Sequence, residues 1–197
     1  MILILCGRSC SGKDTIRKNL VEYNDFNALT TITTRPKRDN EVDGIDYNFV
    51  TIKEFESMIH EKKIIEYRRF DTLVAGKHDT WYYGTPKADL DPEKDYVIIL
   101  DPKGARIFMN YYGKSNCCLI CIETEDTIRE SRAKQRPNFD DQEWERRLHT
   151  DNIDFAPYEL YDIISAYITN DFTVDMCTEK VLEFYYEWRD KKDEKTN

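Results

Sequence analysis

The chain has 197 residues, of which 40% are hydrophobic and 34% charged, the balance of one globular domain rather than of a disordered segment. Its net charge of -9 argues against a polynucleotide as the main partner, because such binders carry a basic field, while a small phosphorylated ligand held by a local arginine cluster remains compatible. The apolar run 1–6 is too short for a signal-peptide core, and no stretch approaches the ~20 apolar residues that a bilayer crossing needs, so no membrane partner and a cytoplasmic location are expected.

Residues 2–5 read as a short β run, and 15–23 follow as a helix with Ile16, Leu20 and Tyr23 at helical spacing. A threonine-rich strand is expected over 29–33 and another over 47–50. Thr51 and Glu54 form a capping-box signature that opens a helix with Phe55, Met58 and Ile59 on one face. The continuous apolar runs 97–100 and 117–122 suit strands buried on both faces. Cys118 and Cys121 spell CxxC, but residues three apart on a strand face opposite sides, and no second pair follows. Buried thiols are therefore expected rather than a metal or redox site, and His60, His78 and His149 show no ligand spacing. Charged helices at 126–134 and 141–149 lead to a strand at 163–168. A closing helix presents Cys177, Val181, Phe184, Tyr185 and Trp188, and the charged tail 189–197 is expected to fray. This alternation implies a parallel sheet wrapped by helices, an α/β fold.

Gly7-Arg8-Ser9-Cys10-Ser11-Gly12-Lys13 has the spacing GxxxxGK between the first strand and helix. Glycines there let backbone N–H groups curl around an anion, and the helix behind points its positive end at it. Lys13 would reach the β- and γ-phosphates of a nucleotide. The next position, commonly Ser or Thr, is Asp14, followed by Thr15, an arrangement similar to that of adenylate kinases. It implies that Thr15 bonds an α-phosphate oxygen, while Asp14 meets the water shell of a magnesium ion held mainly by phosphates and water. Cys10 lies near a helix N-terminus and Lys13, a setting that lowers thiol pKa values in other proteins.

Downstream stand Thr33-Thr34-Arg35-Pro36-Lys37-Arg38, then Glu41-Val42-Asp43-Gly44-Ile45-Asp46-Tyr47, then Glu66 after Ile64-Ile65, then Tyr82-Tyr83-Gly84-Thr85. In this order, behind the loop, these segments resemble the guanylate kinase family through most of residues 1–170. The resemblance implies a P-loop NTPase-type sheet in a single domain, 1–197. Its core would be 1–33, 89–124 and 148–197, its GMP-binding region 34–88 and its lid 125–147. It implies transfer of the γ-phosphoryl group of ATP to GMP, and to dGMP, with Mg2+ as cofactor. Arg35 and Arg38 would clamp the acceptor phosphate, since guanidinium forks match phosphate oxygens, and Tyr47 and Tyr83 would add hydroxyl donors. Glu66 would read guanine by accepting from its ring N–H and its exocyclic amine. Thr31 and Thr85 resemble hydroxyls near the base, and Asp101 an acid near the guanine amine and the metal. Two departures stand out. The stretch from Glu66 to Tyr83 is about eight residues longer than usual, and a second family acid, two positions before Asp101, is Ile99 here. A modified or deoxy base would therefore also fit.

Arg132 and Arg136 lie four apart, on one helix face, and Arg146 and Arg147 precede Leu148. The resemblance makes this segment a lid whose Arg132, Arg136 and Arg147 join Lys13 in neutralising the transferring phosphoryl group, with Arg129 and Arg146 on the same helices. Asn170, before Asp171, resembles a segment near the adenine of ATP. No general base is needed, because the acceptor phosphate is already anionic. Two other readings use the same residues: a related nucleotide or ribose-bisphosphate kinase with an altered acceptor, and a non-catalytic module of this family that binds protein segments. The sequence carries no signal for an oligomeric state.

Overall fold

A computed structural model describes residues 1–39, 41–74, 77–136, 139–156 and 160–196. The described chain divides into two compact units, Met1–Asn27 with Pro92–Asn197, and Ala28–Asp91. In the first, the run Ile2–Cys6 (β1) is buried along its whole length. A strand without a polar face needs neighbours on both edges and cover on both faces. Its edges pair in parallel with Tyr96–Ile99 (which, with Asn27–Ala28 as β2, is β7 in chain order) and with Cys117–Glu123 (β8). Ala166–Thr169 (β9) completes the sheet, in the order β2-β7-β1-β8-β9. Helices Lys13–Tyr23 (α1) and Val174–Thr196 (α6) set Ile16, Leu20, Val181 and Tyr185 against Leu3, Leu5, Val97 and Ile120, all fully buried. Each such aliphatic side chain contributes about 1.5–3 kcal/mol when removed from water. Pro102–Tyr112 (α3) buries Ala105, Phe108 and Met109; Asp126–Lys134 (α4) and Asp141–Asp154 (α5) follow β8.

The α/β fold with a parallel central sheet is as expected, and among the boundaries that differ three have a clear physical reason. The strand expected over 29–33 is confined to Ile32–Thr33 (β3), which enters a second sheet, while Asn27–Ala28 just before the expected span forms the end strand of the five-stranded one. β-propensity alone does not register a change of sheet. The strand expected from 163 begins at Ala166, because Ile163 and Ile164 both donate their N–H groups to the Leu160 carbonyl in a turn. Ile163 is buried in that turn, and its apolar character mimics a strand. The tail expected to fray continues α6 to Thr196, where Arg189 and the Tyr185 hydroxyl both bind Asp95 at 2.8 and 2.7 Å.

The second unit holds a four-stranded sheet in the order β4-β3-β6-β5, with β4 Asn48–Phe49, β5 Ile64–Val74 and β6 Lys77–Pro86. The capping box forms as read: Thr51 Oγ1 accepts from Glu54 N–H, and the Glu54 carboxylate accepts from Thr51 N–H, opening helix α2 (Ile52–His60). The helix buries Phe55, whose ring would lie 3.0 Å from a Cβ at Gly84. The extra length after Glu66 goes into the β5–β6 hairpin, which stays in register from Glu66/Thr85 to Val74/Lys77. β3 pairs only with Tyr83 and Gly84 of β6, so the hairpin beyond them is a two-stranded ribbon.

All six cysteines are unpaired thiols. Burial pushes Cys117 and Cys118 up to about 12 and Cys177 up to about 11, which keeps them protonated near neutral pH and poor as nucleophiles or ligands. Among the described residues, no group of three or more His, Cys, Asp or Glu could hold a metal ion, and no helix is long and apolar enough to cross a membrane.

Candidate active site

The GxxxxGK segment runs from the end of β1 into the first residue of α1, Lys13. Gly12 has φ 94°, and a Cβ there would lie 2.3 Å from Asn170 Nδ2. At Gly7 a Cβ would meet the Ile122 carbonyl at 2.6 Å. Backbone conformation and space thus both require glycine. The carbonyls of the loop are tied down from one side. Ser11 O accepts from Asn170 Nδ2 at 2.8 Å, from Thr124 Oγ1 at 3.2 Å and from Arg132 at 3.4 Å. Ser9 O accepts from Arg129 at 3.1 Å, and Arg8 O accepts from Lys13 Nζ at 3.1 Å. In a planar trans peptide the N–H points opposite the C=O. Fixing Ser9 O and Ser11 O therefore turns the N–H groups of Cys10 and Gly12 away from these partners, as a nest for an anion requires. The buried Ser11 Oγ has no hydrogen-bond partner among the described residues, a group that a phosphate oxygen would satisfy. Gly12→Ala, forced against Asn170 at an unfavourable φ costing about 1–3 kcal/mol, is expected to weaken ATP binding at least about tenfold in calorimetry. Unchanged affinity would mean the loop does not hold the nucleotide.

Helices α4 and α5 supply most of the braces. Arg129 is 1% exposed; it donates to Ser9 O, to Asp151 Oδ2 at 3.0 Å and to Asp126 Oδ1 at 2.7 Å, and lies 5.8 Å over the Trp144 ring. Asp151 in turn accepts from Ser9 N–H at 2.9 Å and Ser9 Oγ at 3.2 Å. Arg132 donates to Ser11 O and to Asn170 O at 3.0 Å. Of the other arginines expected in a lid, Arg136 is exposed just beyond α4, while Arg146 and Arg147 both bind Glu143. Burial raises the Glu143 carboxyl, but these two guanidiniums outweigh it and bring it down to about 2. Asn170 is buried beneath the loop, its Nδ2 donating to Ser11 O and its Oδ1 without a hydrogen-bond partner among the described residues. Asp14 and Thr15 are exposed in the first turn of α1.

In the second unit, Arg35 is 4% exposed and donates to Glu41 Oε1 at 2.7 Å and to the Pro36 carbonyl at 2.8 Å. Its guanidinium lies 5.5 Å from the Tyr47 ring centroid and 5.7 Å from that of Phe49. Burial works against this charge, but the hydrogen bond to Glu41 and the nearby Tyr83 hydroxyl hold Arg35 above its ordinary value. Burial likewise raises Glu41, and the Arg35 guanidinium and Arg38 N–H more than offset it. The Arg38 N–H donates to Glu41 Oε2 at 2.9 Å, while its guanidinium is 45% exposed and 3.8 Å from Oε1. Glu41 therefore sets the spacing of the two arginines. Tyr47 and Tyr83 meet edge to face at 5.9 Å. Glu66 is buried and accepts from Thr85 Oγ1 at 2.5 Å.

The candidate residues thus gather into two sets. Gly7, Arg8, Ser9, Cys10, Ser11, Gly12, Lys13, Asn170 and Arg132 cluster in the first unit, while Arg35, Arg38, Tyr47, Tyr83, Glu66 and Thr85 lie in the second. Asp101 belongs to the first unit, where it caps α3 by accepting from Gly104 N–H at 2.8 Å. Thr31, in the second, contributes its carbonyl to Asn48 N–H. Sequence reasoning passed over Asp151 and Glu41 as site residues. Glu41 stands in the segment that follows the arginine pair, three residues from Arg38, but the Asp151 contact with Ser9 spans 142 positions and has no local signal.

A family model described as guanylate kinase matches residues 1–184. The chain is 38% identical to a guanylate kinase of Enterococcus faecalis over 54% of its length, spanning about half, 51%, of that protein. It is 30% identical to a guanylate kinase of Mycoplasmoides gallisepticum over 82% of each chain. Among solved structures, a guanylate kinase from Anaplasma phagocytophilum superposes with a TM-score of 0.65 at 21% identity, covering 95% of this chain and 85% of that one, a likeness of fold.

Proposed function

The chain belongs to the guanylate kinase family, and we propose that it transfers the γ-phosphoryl group of ATP to GMP, and to dGMP, giving ADP and GDP. The observation that carries this reading is one sheet face holding both a buried carboxylate, Glu66, and the Arg35–Tyr47–Tyr83 cluster. Guanine offers two adjacent N–H donors to such a carboxylate, whereas adenine lacks that pair and would forfeit about 1–3 kcal/mol. Arg35 and Arg38 grip the acceptor phosphate. On the donor side, the N–H groups of the loop and Lys13 hold the ATP phosphates, and Arg132, Arg136 and Arg147 neutralise charge on the group in flight. We assign the GMP-binding region to 34–88, the lid to 125–147 and the core to the remainder. We also place the protein in the cytoplasm, with no nucleic-acid or membrane partner.

Magnesium fits as an ion that arrives with ATP. It keeps several waters and needs few protein oxygens, and Asp14 stands exposed beside the loop. When bound, it neutralises phosphate charge. The protein supplies position: Lys13 and the arginines align donor and acceptor oxygens, and no side chain need remove a proton from an acceptor that is already anionic.

A coupled assay of ADP release with ATP and GMP, dGMP, AMP, UMP or ribose bisphosphate tests the reading. Turnover is expected with GMP and dGMP. A preference for another acceptor would point to the altered kinase, and no turnover with any of them to a non-catalytic module. Glu66→Gln is expected to lower kcat/KM for GMP by roughly 10–100-fold while leaving slow AMP turnover in place. An equal loss with both acceptors would remove Glu66 as the base reader.

A further inference from the structure

We propose that Arg68 is a third guanidinium of the acceptor-phosphate cluster and a specificity-determining residue for phosphorylated acceptors; this rests on the function proposed above. The lengthened hairpin fixes its place. In the β5–β6 register Glu66 opposes Thr85, Arg68 opposes Tyr83 and Phe70 opposes Trp81. Residues directly opposed across a pair share a face, and alternate residues of a strand do too. The face that carries Glu66 and Thr85 therefore continues through Arg68, Tyr83, Phe70 and Trp81. Tyr67, Arg69 and Tyr82 lie on the other face.

Contacts along the first face run without a gap from the Arg35–Tyr47–Tyr83 cluster to Arg68. The Arg35 guanidinium lies 5.5 Å from the Tyr47 ring, which meets Tyr83 edge to face at 5.9 Å; the Tyr83 ring meets Phe70 edge to face at 5.6 Å, and the Arg68 guanidinium lies over Phe70 at 5.7 Å. An arginine stacked on an aromatic ring loses little further freedom when it binds a phosphate. Electrostatics assign the same role. Glu66, two residues away on this face, repels a dianionic phosphate, and Arg68 lies next to it with the opposite charge. The ligand chemistry is the phosphate end of a nucleoside monophosphate, not its base. Arg69 provides a built-in control, because it sits on the opposite face and pairs with Asp71 at 2.9 Å.

The test compares Arg68→Ala, Arg68→Lys and Arg69→Ala in steady-state kinetics with GMP, alongside inhibition by guanosine, which has the base without the phosphate. Arg68→Ala is expected to raise KM for GMP about tenfold with kcat, the KM for ATP and guanosine inhibition unchanged; Arg68→Lys should recover part of the loss, and Arg69→Ala should match the wild type. An unchanged KM in Arg68→Ala, a parallel loss of guanosine inhibition, or an equal effect of Arg69→Ala would each overturn the assignment. A wild-type protein that turns over no GMP would overturn the function itself, whereas normal wild-type turnover with an inert Arg68→Ala overturns only the role of Arg68.

Discussion

Lys13→Ala is expected to lower kcat/KM at least about a thousandfold, a loss of roughly 4 kcal/mol of transition-state stabilisation, with little change in thermal stability. The two effects separate because of what Lys13 touches. Its ammonium donates to the Arg8 carbonyl at 3.1 Å, and that carbonyl also accepts from Ser11 N–H at 3.2 Å. Truncation therefore leaves no buried acceptor without a donor. Lys13 opens α1, where alanine is an excellent helix former, so the fold has little reason to weaken. The reaction loses the loop's ammonium group, at the point where negative charge shifts between phosphates. Initial rates in the coupled assay, with a thermal melt of the same sample, measure both quantities. Activity within tenfold of wild type would mean that the loop is not the donor site.

The parts of this molecule legible in the sequence are those set by local physics. Apolar runs at β1 and β8 announced strands buried on both faces, Thr51 and Glu54 announced a helix start, and glycine spacing announced the loop. What could not be read depends on distant partners. Residues 29–33 carry the β character, yet the chain changes sheets between Asn27–Ala28 and Ile32–Thr33, because pairing with Asp95 at one end and Tyr83 at the other is decided elsewhere. Arg129 was legible only as a further arginine of the lid helices; its burial follows from Asp151, twenty-two positions on (129 to 151), and from Ser9, which no periodicity links to it. Asn170 also holds the loop from below, a role visible only once Gly12 and Ser11 are placed against it. The ribbon beyond Tyr83 was visible as extra length, but which of its side chains share a face with Glu66 required the register.

The largest stability effect is expected at Asp151. Its carboxylate accepts from Ser9 N–H, Ser9 Oγ and Arg129, and Arg129 is 1% exposed. Asp151→Ala would leave that guanidinium with the Ser9 carbonyl and Asp126, whose side chain is 70% exposed. Breaking a buried pair by removing one partner costs about 3–5 kcal/mol, because the remaining charge has lost its compensation, whereas replacing both by apolar groups of similar size is often nearly neutral. Urea denaturation of Asp151→Ala should therefore show a loss of about 3–5 kcal/mol, and the double variant Arg129→Met/Asp151→Leu should recover much of it. The catalytic consequence runs the other way. With both charges gone, Ser9 N–H and Ser9 O lose the partners that orient the peptide leading to Cys10, so the double variant should remain folded yet bind ATP more weakly than the wild type. Stability restored together with full ATP affinity would show that the pair supports packing of α4 and α5 without shaping the loop. A loss below about 1 kcal/mol in Asp151→Ala, the scale of an exposed pair, would show that the carboxylate does not sit in a buried network at all.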